Sequence, residues 1–170
     1  MSVGPRRRAS GGGDQPGWLA EAEALRAARP RGVLFLCVAN SARSQLAEGI
    51  ARSLAPADVA VWSAGSHPTR VRAEAIAVLA EIGIDISHQR SKSVGEIPAD
   101  QVDTVITLCG EEECPVFLGQ VRRLHWGLPD PAAVTGSEQE RLDAFRRTRD
   151  ELLRRLAVVF PPASPDALRP

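Results

Sequence analysis

Apolar positions along this chain fall into runs of two kinds that take turns. VLFLC, residues 33–37, is continuous and has the length of a strand buried on both faces. The period then changes: between Ser44 and Leu54, residues Leu46, Ala47, Ile50 and Leu54 share one face of a helix. VAVWSAG, 59–65, reads as a second strand ended by Gly65, and Val71 to Ile82 as a second helix stopped by Gly83 as its C-terminal cap. VDTVITL, 102–108, and the shorter VRRLHW, 121–126, supply a third and a fourth strand. A long helix over 137–160 closes the pattern, with Leu142, Phe145, Leu152, Leu153 and Leu156 as its apolar stripe. Ahead of the first strand, Leu19, Ala22 and Leu25 predict a short amphipathic helix from Trp18 to Arg29.

The alternation predicts an α/β domain over residues 31–160: a four-stranded parallel sheet with helices on both faces. Residues 17–30 are a helical lead-in, 161–170 a C-terminal tail, and 1–16, rich in Gly, Arg, Ser and Pro, a disordered tail. Sheets of this kind hold their sites beyond the carboxyl ends of the strands. Cys37 and Cys109 both fall at such ends.

A chain of 170 residues fits one domain with a core large enough to need no staples. Lys+Arg and Asp+Glu balance at 21 each, which argues against nucleic acid or an acidic membrane as partner and for a small molecule. No stretch approaches the roughly 18 apolar residues of a membrane span, and the basic N-terminus continues into Gly, Pro and Asp where an export signal would be apolar. A soluble cytoplasmic protein, a monomer, is the expectation. Three cysteines, an odd number, then point to thiol chemistry and away from a disulfide framework.

CVANSARS, between the first strand and its helix, places five residues between Cys37 and Arg43. A loop of this length entering a helix N-terminus can turn the amides of Val38, Ala39, Asn40, Ser41, Ala42, Arg43 and Ser44 into one concavity, where the helix dipole also favours an anion. Arg43 adds a planar fork matched to two oxygens of a tetrahedral oxyanion. That field favours the thiolate of Cys37, the nucleophilic form. Asn40 tolerates a left-handed backbone, and Ser41 or Ser44 can hydrogen-bond the sulfur. The plainer alternative, a buried cysteine beside a surface arginine, does not account for both residues flanking a strand-to-helix turn at the carboxyl edge.

VLFLCVANSARSQLAEG resembles the signature of the low-molecular-weight tyrosine phosphatase fold, shared by phosphatases and by arsenate reductases that use thioredoxin as reductant. The resemblance spans about residues 32–158 and implies a four-stranded parallel sheet flanked by helices, in a flavodoxin-like topology. It also implies that Asp130, in HWGLPDPA, faces the cysteine loop as general acid; alone, an Asp-Pro pair reads as a turn.

TLCGEEECPVF, 107–117, separates the two branches, because a phosphatase needs neither Cys109 nor Cys114. The three thiols permit a sequence in which Cys37 attacks arsenate, Cys109 attacks Cys37 as arsenite leaves, and Cys114 takes Cys109 into an accessible disulfide. Thioredoxin or another thiol would restore them. The intervening Glu111, Glu112 and Glu113 oppose thiolate formation nearby, which a flexible loop offsets by swinging Cys114 outward. The absence of any Tyr weighs against a tyrosine phosphatase, whose acid is often followed by paired tyrosines. That phosphatase, using Cys37, Arg43 and Asp130, is the alternative reading; a non-catalytic oxyanion-binding module is the third.

Two departures from related reductases stand out. Ala42 occupies the place of a second loop cysteine. Asn40, Glu48 and Ser63 match three ligands of a potassium site found in some relatives, but the fourth position, an aspartate there, is Lys92 here. Its ammonium can replace the ion, so activity is expected not to depend on potassium. His67, His88 and His125 lack ligand spacing, and no metal or other cofactor is expected.

Overall fold

The computed structural model describes residues 16–110 and 114–162. The tail expected over 1–16 lies outside them but for Pro16, as do Glu111 to Glu113 and the C-terminal tail beyond residue 162. The strands are β1 (Gly32–Cys37), β2 (Ala60–Gly65), β3 (Thr104–Thr107) and β4 (Arg122–His125). The helices are α1 (Gly17–Ala28), α2 (Arg43–Leu54), α3 (Ala73–Ala80) and α4 (Glu138–Val159).

All strand pairs are parallel, in the order β2-β1-β3-β4. β1 has a neighbour on each side and is buried at every position, which is why it reads as an unbroken apolar run. β4 stands at the edge, and its Arg122, Arg123 and His125 are exposed while Leu124 points to the core. The ladder puts Cys37 opposite Gly65 and Leu36 opposite Thr107, so the loops after β1, β2 and β3 leave the same edge together.

The sheet is flanked by helices, but unequally. Val33, Phe35, Val61, Ile106 and Leu124 meet all four α-helices in one cluster that includes Leu25, Leu46, Ile50, Leu79, Phe145, Leu152 and Leu156. The opposite side, Leu34, Leu36, Ala64 and Val105, is covered by Ile97, Val102 and Phe117, with no α-helix among the described residues. The expectation of α-helices on both faces is therefore corrected. The crossover from β2 to β3 spends its helix, α3, beside α2 and α4, and passes over the second face as two 3-10 turns, Val94–Glu96 and Ala99–Gln101.

Local chemistry sets the boundaries. Ser137 caps α4, its Oγ accepting from Glu140 N at 3.2 Å, with Glu138 and Glu140 at the positive end of the helix dipole. α3 is shorter than its periodicity predicts because Arg72 is extended and donates its amide to Ser41 O at 2.9 Å. Gly83 takes φ +80°, a left-handed turn that suits glycine. α1 belongs to the main core: Ala22 and Leu25 are buried, and Trp18 lies under the guanidinium groups of Arg154 and Arg155 at 5.1 and 5.3 Å. β3 and β4, though parallel, are joined by residues 108–121 with no helix among those described. That segment carries Cys109 and Cys114.

Candidate active site

At the carboxyl end of β1 the chain turns over Gly65 and enters α2. A Cβ on Gly65 would lie 2.9 Å from Asn40 N and in collision with Val38 O, so only glycine lets the loop cross there. Asn40 has φ +48°, the left-handed conformation its residue type tolerates. The carbonyls of Val38, Ala39 and Ser41 accept from the amides of His67, Thr69 and Arg72 at 2.9, 3.1 and 2.9 Å. The loop's acceptors are thus engaged from outside, while the amides of Ala39, Asn40, Ser41 and Ala42 have no acceptor among the described residues. Successive free amides ahead of a helix N-terminus form an anion-binding concavity.

Cys37 is a free cysteine, 3% exposed, with its Sγ 2.7 Å from Ser44 Oγ. Ser44 is therefore the sulfur's hydrogen-bond partner, and Ser41 shows no such bond. Asn40 Nδ2 donates to Ser44 Oγ at 2.7 Å and to Ser63 Oγ at 2.9 Å, which fixes the hydroxyl that faces the sulfur. Arg43 is buried as the first residue of α2. Its Nη1 donates to Leu128 O at 3.0 Å and Leu108 O at 3.4 Å, tying the cysteine loop to the loop carrying Cys109 and to the one carrying Asp130. Asp130 caps the 3-10 turn Pro131–Ala133, accepting from Ala132 N at 3.0 Å. Cys37, Arg43 and Asp130 line one cavity of about 390 Å³ with Val38, Ala39, Ser41, Ala42 and Ala133. Asn40 and Ser44 stand behind that wall.

Cys109 and Cys114 are joined as a disulfide with Cα atoms 5.6 Å apart. Cys109 is fully buried two residues past β3, and Cys114 is half-buried. The expected pair is brought together, with the third thiol left free in the oxyanion loop.

Behind the loop, Glu48 Oε1 accepts from Ser63 N at 3.0 Å and Ser63 Oγ at 3.1 Å, and meets Lys92 Nζ at 3.4 Å. Lys92 Nζ also donates to Arg90 O at 3.0 Å. Of Asn40, Glu48 and Ser63, the ammonium itself meets Glu48 alone among the contacts described. Among the described residues no group of three His, Cys, Asp or Glu is placed to hold a metal ion. His67, His88 and His125 are exposed, and among the described residues no helix is long and apolar enough to cross a membrane.

Three residues hold Asn40 through contacts that sequence does not announce, Lys92 by its backbone amide and not its ammonium. Gln45 donates to both Asn40 O (3.0 Å) and Asn40 Oδ1 (2.9 Å), Ser91 Oγ donates to Asn40 O at 2.7 Å, and Lys92 N donates to Asn40 Oδ1 at 2.9 Å. Two of these come from some 50 residues away, beyond the reach of any local pattern. Only the oddity of a glutamine on a helix face that is wholly buried offers a hint.

The sequence pattern of the low molecular weight phosphotyrosine protein phosphatase family matches residues 32–161. The arsenate reductase of Bacillus subtilis (strain 168) is 40% identical over 126 residues, which cover 73% of this chain and 91% of that protein. A solved arsenate reductase in the phosphate binding state superposes with a TM-score of 0.65 at 38% identity, covering 76% of this chain and 96% of the other. The thioredoxin-dependent arsenate reductase of Corynebacterium glutamicum gives 0.52 at 28% identity, covering 82% of this chain and 70% of its own.

Proposed function

The chain belongs to the low-molecular-weight phosphotyrosine protein phosphatase family, and from that premise we propose that it is an arsenate reductase. One observation carries the reading: a free Cys37 in an oxyanion loop together with a Cys109–Cys114 disulfide at the neighbouring strand end. A phosphatase has use for the first thiol alone.

The free amides of residues 39–42 and the guanidinium of Arg43 bind arsenate. The Cys37 thiolate, held by Ser44, attacks arsenic and forms an S–As bond. Asp130 protonates the departing oxygen, which leaves as water. Cys109 thiolate then attacks the Cys37 sulfur; the S–As bond breaks with its electron pair left on arsenic, and As(V) leaves as As(III). Cys114 thiolate attacks Cys109, releasing Cys37 and forming the pair seen here. Arg43 suits this relay because it bonds to the carbonyls of Leu108 and Leu128, neighbours of the resolving thiol and of the acid. A thiol reductant returns the two electrons, and thioredoxin is the donor we assign. The chain acts as a monomer in the cytoplasm, with no cofactor of its own.

Phosphate esters fit the same cradle, since phosphate and arsenate share shape and charge. Weak phosphatase activity through Cys37, Arg43 and Asp130 is expected. The test is arsenate-dependent oxidation of reduced thioredoxin by wild type, Cys109→Ser and Cys114→Ser, with para-nitrophenyl phosphate hydrolysis alongside. Both substitutions should abolish arsenate turnover and spare ester hydrolysis. Efficient ester hydrolysis without arsenate turnover by any thiol would make the protein a phosphatase. Tight sulfate binding with turnover of neither would leave a binding module.

A further inference from the structure

The stretch between the disulfide and β4 has an exposure pattern that the fold does not require. Phe117 is buried in the cluster on the second sheet face, packed with Leu34, Leu36 and Val105. Its neighbours Val116 and Leu118 are 75% and 84% exposed. Among the described residues the one other large hydrophobic that is exposed is Ile82, at 39%. A single apolar side chain in water is ordinary. Two on one short segment, the first of them two residues from a half-buried disulfide cysteine, form a local apolar feature at a place where chemistry must come from outside. The segment is also held: Phe117 anchors it in the core, and Arg123 Nη2 donates to Gly119 O at 2.9 Å.

We infer that Val116 and Leu118 are the landing surface for a protein dithiol reductant of the thioredoxin class, an inference that rests on the reductase reading above. Cys109 is fully buried, so the accessible sulfur of the pair is that of Cys114. One thiolate of the reductant attacks Cys114 Sγ, a partner–Cys114 disulfide forms, and Cys109 leaves as thiolate. The partner's second thiolate then attacks its own sulfur in that bond and releases Cys114. Two electrons pass from the partner's dithiol to the Cys109–Cys114 disulfide, and the partner leaves oxidised. A small dithiol needs only the sulfur. A protein dithiol brings a surface that must lie against the residues following Cys114, and covering Val116 and Leu118 makes that contact favourable.

The experiment uses full-length protein with the disulfide already formed, as wild type and as Val116→Ser/Leu118→Ser. Both side chains stand in solvent, so folding is not at stake. Second-order rate constants for reduction of the disulfide are measured by thiol trapping with reduced thioredoxin and, separately, with dithiothreitol. The expected result is a rate constant with thioredoxin at least tenfold lower in the variant, and one with dithiothreitol within twofold of wild type. Thioredoxin rate constants within twofold of each other overturn the inference, as does an equal loss with both reductants. A concentration-dependent dimer that the substitutions dissociate, with the thioredoxin rate unchanged, gives the patch to a second copy and overturns it too. Because reduction of a preformed disulfide needs no arsenate, a failure of arsenate turnover, measured in parallel, is seen separately from a failure of the docking surface.

Discussion

Replacing Lys92 by Met isolates the partly buried cation behind the cysteine loop. Lys92 Nζ lies 3.4 Å from Glu48 Oε1, and the two side chains are 14% and 2% exposed. At that distance the attraction is about 5 kcal/mol for an effective dielectric near 20, before the cost of dehydrating both groups is set against it. Removing one partner of such a pair costs roughly 3–5 kcal/mol when nothing else can respond. Here Arg52 stands 3.9 Å from the same oxygen with a half-exposed side chain, and it takes over part of the role. The expected loss is therefore about 2–3 kcal/mol, or a fall of about 1 M in urea midpoint for a slope near 2 kcal/mol per molar. The Lys92 amide still holds Asn40 Oδ1 in the variant, so the loop's geometry survives the change. Glu48 Oε1 and Arg90 O then face the vacated position, and potassium substituted for sodium at equal ionic strength should restore part of the stability and activity of the variant while leaving wild type unchanged. Equal urea midpoints for the two proteins would refute the reasoning, as would a clear gain in wild-type activity on adding potassium.

Ser44→Ala removes the hydrogen bond to Cys37 Sγ, and bonds to charged acceptors contribute about 1.5–3 kcal/mol. Alkylation of Cys37 by iodoacetamide and arsenate turnover should both slow about tenfold or more; unchanged alkylation would remove Ser44 from the mechanism. Asp130→Asn keeps an oxygen able to cap the Ala132 amide but cannot protonate a leaving group, so ester hydrolysis should fall about 100-fold or more with an unchanged unfolding midpoint. Glu151 is partly buried, which works against its charge, but hydrogen bonds from Arg155 and Arg154 outweigh burial and lower its pKa below the ordinary 4.5. A lowered carboxylate stabilises the fold above its unfolded value and loses that contribution as pH falls through the folded one. Glu151→Gln should thus cost less than about 1 kcal/mol at neutral pH and flatten the loss of stability below pH ~4.5 in urea titrations.

Which features were legible from sequence follows from how far apart their causes lie. β1 and α2 are each specified by neighbours in sequence, a run of apolar residues and a 3.6-residue repeat, and both appear within one residue of expectation. Cys37 and Arg43 belong to that same strand-turn-helix unit, so their placement around one turn could be inferred from spacing, whereas spacing left Ser41 and Ser44 equal as partners of the sulfur. The helical cover of the sheet could not. α3 has the periodicity of any amphipathic helix, and its place beside α2 and α4 is decided by where the preceding segment is tied, at the carbonyls of Val38, Ala39 and Ser41. Ser91 Oγ and the Lys92 amide likewise reach Asn40 only because the chain returns to it after a long excursion. The same tie links fold to chemistry. By engaging the loop's carbonyls from outside, residues 67–72 leave its amides free for an anion, so a segment with no reactive group of its own shapes the oxyanion site. Thr69 and Arg72 make that contact through their backbone amides, which explains why nothing in their side chains announces it.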